Sequence, residues 1–187
     1  MTSTLDILKA KFIHRTDAFA VMCRNDYQNR DNYYDRVWQP LTDDLLAAHL
    51  DGIITLAVFP TKVEDQTVKW VCWDIDSGED MDLARVKAIC QRFGYDYVLE
   101  ASGRDKGLHV WHFFDTPQPV SEIHKLKAEC YTRGAIDFFP SRPKVINDFY
   151  CELPIKLPLG YHRKEKKFSY FLNDDREEIS IQQAFGV

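Results

Sequence analysis

The stretch from Trp70 to Asp80, WVCWDIDSGED, sets Asp74 and Asp76 one residue apart at the end of an apolar run. Side chains alternate along a strand, so these two carboxylates share a face, with Trp73 and Ile75 on the other. A third acid, Asp137, lies in AIDFFP, and His109 lies in GLHVWHFF. Two acids on alternate strand residues and a third on an adjacent strand make a hard oxygen donor set, suited to Mg2+ or Mn2+ rather than to zinc. Without a cation such acids raise one another's pKa. With two ions roughly 4 Å apart they suit nucleotidyl transfer, in which one ion activates a hydroxyl and the other stabilises the leaving pyrophosphate. A lone D-x-D is as often a solvated strand end, so the weight rests on three acids and a histidine meeting in one place.

A second candidate lies between strands, in EASGRDKGLHVW from Glu100 to Trp111. Gly103 and Gly107 permit close backbone approach, while Ser102, Arg104 and Lys106 offer donors to phosphate oxygens. His109 follows on the strand as a further donor that can hold a triphosphate beside the acids. On its own, a short glycine-containing turn is usually only a hairpin.

The elements that must position these residues follow from pattern. A helix is predicted from about Thr4 to Phe12, with Leu5, Leu8 and Phe12 on one face. The stretch from Asn25 to Tyr34, rich in Asn, Asp and Tyr, reads as irregular. Thr42 caps a second helix that stops at Gly52, and IITLAVF reads as a strand. From Trp70 the order is regular: VKWVCWDID strand, DLARVKAICQRFG helix, YDYVLEAS strand, LHVWHFF strand, VSEIHKLKAECYTRG helix and AIDFF strand. This βαββαβ order is that of ferredoxin-like and RNA-recognition folds. Right-handed crossovers make its first strand central, flanked by the third and the fourth. His109 and Asp137 then fall on either side of the Asp74/Asp76 strand. IITLAVF, paired as a hairpin with VKWVCWDID, competes with the fourth strand for the same edge.

Composition bounds the rest. At 187 residues and 45% hydrophobic content, the chain is expected to fold as one compact unit. It contains no apolar run of the length that spans a membrane, and its N-terminal residues carry charges where a signal peptide is apolar, so a soluble cytoplasmic protein is expected. Its five cysteines are odd in number and lack a C-x-x-C pair, and they read as buried reduced thiols. The net charge of −5 does not mark a nucleic-acid binder, but residues 137 to 170 hold seven Lys or Arg against four acids.

These residues carry a resemblance. SGRDKGLHVWHFF resembles the second motif of archaeo-eukaryotic primases, in which a Ser/Gly/Lys turn leads to a triphosphate-binding His. WDID resembles the first motif, and Ile136-Asp137 in AIDFFPSRPK the third. FIHRTDAFAV, HLDGIITLAVFPT and LPIKLPLGYHRKEKKFSYF are similar to the flanks of the primase-like domain of TOTE conflict systems and related mobile-element primase-polymerases, so the likeness runs from about Phe12 to Phe171. It implies an α/β (α+β) primase-like fold in a single domain, 1–187: an N-terminal αβ module, 1–66; an RRM-like catalytic core, 67–140; and a basic C-terminal segment, 141–187.

The resemblance also implies roles. Asp74, Asp76 and Asp137 would bind Mg2+ or Mn2+ in a two-metal site, without zinc. Ser102, Gly103, Arg104, Lys106, His109, Lys156 and His162 would bind the nucleotide, and Arg142, Lys144 and Arg163 would line the nucleotide or template path. Partners would be nucleoside triphosphates and a single-stranded DNA or RNA template with its primer. Relatives often carry a fused helicase, but no P-loop occurs here, so a helicase would be supplied by another region or protein. The rival from another class is a non-catalytic RNA-recognition module, because KGLHVWHF overlaps the strand signature of such modules. Against it, Asp74 and Asp76 would sit on the binding face and repel phosphate. A metal-dependent nuclease would use the same acids but has no use for the SGRDKGLH turn.

Overall fold

The computed structural model describes residues 2–25, 30–77, 79–104, 106–130, 136–146 and 152–187. In chain order its elements are α1 (Thr4–Phe12), β1 (Phe19–Asn25), β2 (Arg30–Val37), α2 (Asp43–Leu50), β3 (Leu56–Val58), β4 (Thr67–Ile75), α3 (Asp80–Phe93), β5 (Val98–Ala101) and β6 (Leu108–Pro119). There follow α4 (Val120–Ile123), β7 (Ile136–Phe139), β8 (Ile155–Lys156), β9 (Tyr161–His162), β10 (Lys167–Phe168), β11 (Tyr170–Leu172), β12 (Glu178–Ile179) and α5 (Ile181–Phe185). A large sheet has the order β12-β11-β5-β6-β4-β7, and a smaller one β2-β1-β3-β8. In the large sheet β4 lies between β6 and β7, the position expected for the first strand of a βαββαβ unit.

The helices start and stop where capping predicts. Ser3 accepts from the Asp6 amide ahead of α1, and Thr42 from the Leu45 amide ahead of α2. The α3 helix closes on Gly94 in the left-handed conformation. Both faces of β4 are covered, which explains its nearly continuous apolar run. Val71, Trp73 and Ile75 pack with Leu83, Val86 and Ile89 of α3. Trp70 and Cys72 face the opposite way, into a cluster with Ile7, Leu8 and Phe12 of α1 and Leu56 and Val58 of β3. Full burial of a side chain such as Phe12 stabilises by about 1.5–3 kcal/mol. The Trp70 indole also donates to the Phe12 carbonyl at 2.8 Å, fixing the end of α1 to the sheet.

Four expectations are corrected. The stretch from Asn25 to Tyr34 is largely not irregular: β1 and β2 pair antiparallel, with Met22 opposite Tyr34, while residues 26–29 fall outside the described set. IITLAVF does not compete for the edge of β4, because its strand β3 pairs with β1 and β8 in the smaller sheet. The helix expected over VSEIHKLKAECYTRG is α-helical only to Ile123 and continues as a 3-10 turn from His124 to Cys130; Gly134 lies outside the described residues. Its buried residues Val120, Ile123 and Leu126 recur every three positions, which a 3-10 helix places on one line. Of the cysteines, Cys72 and Cys90 are buried, but Cys23 is half-buried and its thiol donates to Asp35. The side chains of Cys130 and Cys151 lie outside the description. Among the described residues no helix is long and apolar enough to cross a membrane.

Ahead of β8, the fully buried Glu152 ties that strand to the segment that follows its neighbour β3. Its carboxylate accepts from the Thr61 amide at 2.7 Å and the Thr61 hydroxyl at 2.8 Å. Burial pushes this carboxyl up to about 7, against the hydrogen bonds from Thr61 and the charge of Arg15. The folded chain therefore keeps a proton that the unfolded chain releases in the ordinary carboxylate range. The contribution to stability is complete in mild acid and is lost as pH rises to about 7. Between those limits the unfolding free energy is expected to fall by up to about 3 kcal/mol relative to Glu152→Gln, whose amide keeps the shape and cannot ionise. Urea titrations of both proteins across this range check it; parallel curves would refute the assignment.

Candidate active site

Cross-strand register builds the site. On β4, Asp74 lies directly opposite His109 of β6 on one side and Asp137 of β7 on the other. His109 lies opposite Glu100 of β5, so Glu100, His109, Asp74 and Asp137 form one row across four strands. Opposed residues of antiparallel strands share a face, so this row of charge lies on one side of the sheet. It abuts the apolar residues Cys72, Trp111 and Phe139 of the same face. Asp76 follows one residue after β4 and is exposed.

Glu100 received no role from the sequence, yet it organises the row. It is fully buried and accepts from His109 Nδ1 at 2.8 Å, Trp111 Nε1 at 2.9 Å and Lys156 Nζ at 3.3 Å. Burial alone would raise this carboxyl, but Lys156 and His109 outweigh that and hold it near 2. Lys156, from β8, also donates to the Ser169 hydroxyl at 2.7 Å and the Leu157 carbonyl at 3.2 Å. With Nδ1 committed to Glu100, His109 turns Nε2 toward Asp74, 3.6 Å away. Burial lowers the His109 pKa, but the charges of Glu100 and Asp74 raise it above its usual value, which favours the form with both ring nitrogens as donors. The Asp74 side chain is 23% exposed. Its carboxyl is raised by burial first; His109 and Arg104 pull it down, while Asp76 and Asp137 push it up.

A cleft of about 130 Å³ opens over this row. Asp74, Asp76, Ser102, Arg104, His109, Lys156 and His162 line it, so seven of the expected residues are brought together. The opposite wall includes Met22 and Tyr34 of the β1–β2 hairpin, which the sequence reading left without a role. Ser102 is buried and its hydroxyl has no hydrogen-bond partner, an orphan donor at the cleft. The turn is closed by the Ser102 amide donating to the Gly107 carbonyl at 2.9 Å. Gly103 has φ +87°, and a Cβ there would lie 2.9 Å from His162; a Cβ at Gly107 would lie 2.3 Å from the Ser102 hydroxyl. His162 is buried, and its Nδ1 accepts from the Glu165 amide at 3.2 Å, leaving Nε2 to carry the proton.

Other expected residues fall elsewhere. Lys106 lines an adjoining groove of about 570 Å³ with Arg104, Tyr170 and Arg176, rather than the cleft. Arg163 donates to the Ile53 carbonyl, and neither it nor Arg142 or Lys144 lines the cleft. Asp137 is exposed beside the cleft, opposite Asp74. Among the described residues no three His, Cys, Asp or Glu side chains are gathered to hold a metal as they stand. One reason is visible: the Arg104 guanidinium already donates to Asp76. The residue types still fit a hard divalent cation: the Asp74 carboxyl is near enough to those of Asp76 and Asp137 for both charges to push it up, a repulsion that a cation would relieve.

The model of the archaeo-eukaryotic primase domain of TOTE conflict systems matches residues 6–185. The chain belongs to this family. Two solved structures share its fold. The primase-polymerase domain of cyanophage S-2L is 16% identical, with a TM-score of 0.50 over 92% of this chain and 88% of its own. The polymerase domain of Mycobacterium tuberculosis ligase D, in complex with DNA, is 12% identical, with a TM-score of 0.53 over 96% and 82%. No curated protein matches the chain. Membership in this primase family supports nucleotidyl transfer as the class of chemistry.

Two substitutions probe the site. Glu100→Ala leaves Lys156 and the His109 ring buried without their counter-charge and is expected to cost about 3–5 kcal/mol in urea unfolding; a loss under about 1 kcal/mol would show that neither depends on it. Gly107→Ala must move the Ser102 hydroxyl, so triphosphate affinity in a direct binding assay is expected to fall about tenfold, the scale of one lost charge-assisted hydrogen bond. Wild-type affinity would remove Ser102 from the binding set.

Proposed function

We propose that this chain is a template-directed nucleotidyltransferase, a primase-polymerase that synthesises or extends primers on single-stranded nucleic acid from nucleoside triphosphates. The observation that carries this reading is the row in which Asp74 lies between Asp137 and a His109 held by Glu100, facing a cleft lined by Ser102 and Lys156. Asp74, Asp76 and Asp137 would hold Mg2+ or Mn2+, which supplies activation of a primer 3′-hydroxyl and charge neutralisation of the leaving pyrophosphate. The chain's own residues bind and orient. His109 Nε2 and the Ser102 hydroxyl donate to phosphate oxygens, and Lys156 places a fixed positive charge over them. His162 adds a neutral donor. Because Glu100 fixes His109 and Lys156 before substrate arrives, little reorganisation remains for the transition state.

In this reading residues 1–187 act as one catalytic unit. Residues 67–140 carry the acids, 1–66 supply the opposing wall with Met22 and Tyr34, and 141–187 supply Lys156 and His162. Arg142 and Lys144, which follow β7 in the chain, and Lys106, which lines the adjoining groove, would meet template phosphates. The template is single-stranded DNA or RNA, and a helicase would come from elsewhere in the system. An RNA-recognition module fits less well, because such modules stack bases on an open sheet face. Here Trp111 on that face is fully buried beneath α1 and the smaller sheet.

Labelled-nucleotide incorporation on single-stranded DNA, with and without primer, in Mg2+ and in Mn2+, tests the function. Templated products from the wild type are expected, with Asp74→Ala and Asp137→Ala losing at least about a thousandfold while keeping their thermal midpoints within a few degrees. Products without primer would mark a primase. Wild-type rates in both variants would exclude these acids from the metal site.

A further inference from the structure

The cationic groups that line the cleft are not held alike. His109 and Lys156 are buried and committed to Glu100. Arg104 is different: it stands on the β5–β6 turn, its side chain 46% exposed, and its partner is Asp76, itself 52% exposed. It is the cleft cation held by an acid that the proposed metal site needs. Arg104 also lines both the cleft and the adjoining groove, so its side chain stands where the two spaces meet, with the guanidinium on Asp76 at the cleft. Its stem passes over Gly107, where a Cβ would lie 3.1 Å from the Arg104 Cβ, and Gly103 precedes it in the left-handed conformation.

We propose that Arg104 is an exchangeable counter-ion: its guanidinium neutralises Asp76, yields that carboxylate to a divalent cation, and is thereby released to bind the triphosphate. The inference rests on the metal reading given above. A guanidinium and a divalent ion compete for the same carboxylate oxygens and repel each other at contact distance. An exposed Arg–carboxylate pair is weak, on the order of fivefold in an equilibrium constant, so a divalent ion at three acids readily displaces it. The freed side chain needs no large movement, because it already borders the cleft that holds the unpartnered Ser102 hydroxyl and Lys156. Planar guanidinium donors match phosphate oxygens in pairs. The handover makes metal binding prepare the nucleotide site, while Asp76 is never left without a cation beside it.

Mn2+ binding to the protein alone, read from the electron paramagnetic resonance signal of the free ion, tests this without turnover. Arg104→Gln removes the competitor and is expected to bind Mn2+ about fivefold more tightly than wild type. In saturating Mn2+ the same variant is expected to bind a nucleoside triphosphate about tenfold more weakly, measured by calorimetry. Asp76→Asn, measured in parallel, separates the two layers of the reading. If it binds Mn2+ more weakly than wild type while Arg104→Gln shows equal or weaker Mn2+ affinity, the exchange is overturned and the metal site stands. If Asp76→Asn binds Mn2+ as well as wild type, the metal reading and the exchange fall together. Tighter Mn2+ with unchanged triphosphate affinity in Arg104→Gln would overturn the release to phosphate.

Discussion

The site depends on one buried carboxylate. Glu100 receives His109 and Trp111 from the neighbouring strand of its own sheet and Lys156 from the smaller sheet. It is therefore a joint between two layers as well as a support for the row of charge. A buried ion pair seldom adds net stability over an apolar replacement, because desolvating both groups costs about as much as their attraction returns. What it provides here is position. Two cations face a cleft on the side where carboxylates also gather, and neither can swing away to satisfy itself on those acids. Without Glu100, His109 and Lys156 would lose the anion that holds them both, and the positions of these two cleft-lining groups would no longer be fixed.

The same economy governs where the site lies on the sheet. The face that carries Trp70, Cys72, Trp111 and Phe139 is buried by α1 and the smaller sheet, and one cross-strand row further it becomes Glu100, His109, Asp74 and Asp137. The apolar rows fix the register, since a one-residue slip of β4 would send Trp70 and Cys72 to the α3 side and Asp74 with them. The core thus sets the spacing of the acids as firmly as it sets the fold. The strand ends where burial ends, which leaves Asp76 exposed and able to exchange partners while Asp74 stays largely enclosed.

How much of this was legible follows from where the information lies. Alternation along WVCWDID and the βαββαβ order place Asp74 between His109 and Asp137, and the registers agree. The turn from Ser102 to Gly107 was legible because glycine spacing reflects backbone geometry. Tyr34 and Met22 were hidden because β2 is a polar strand whose Asn, Asp and Arg residues imitate a loop, and its pairing with β1 is a tertiary fact. Glu100 did leave a signal: an acid within the apolar strand VLEA, at a position whose cross-strand neighbour is a histidine. Reading it required the register, which a strand of four residues does not specify alone. The segment after Val120 misled because apolar spacing of three suits a 3-10 turn and the start of an α-helix alike.

A site of this kind must meet two opposed demands. Holding a triphosphate calls for cations in the cleft before the substrate arrives, and holding divalent metal calls for acids free of cations. The geometry separates the demands by burial. His109 and Lys156 are balanced by Glu100, an anion that is fully buried and does not itself line the cleft, so in the proposed reading their charge is available to phosphate without being spent on the acids. Asp74 is paired only loosely within its row: His109 stands 3.6 Å away, beyond hydrogen-bond distance, while its other nitrogen bonds Glu100 at 2.8 Å. The remaining acid at the strand end, Asp76, stands in solvent, where a weak pair with Arg104 costs little to make and little to break. Rigidity is thus concentrated where positions must be fixed in advance, and exchange is confined to the rim, where water screens each step.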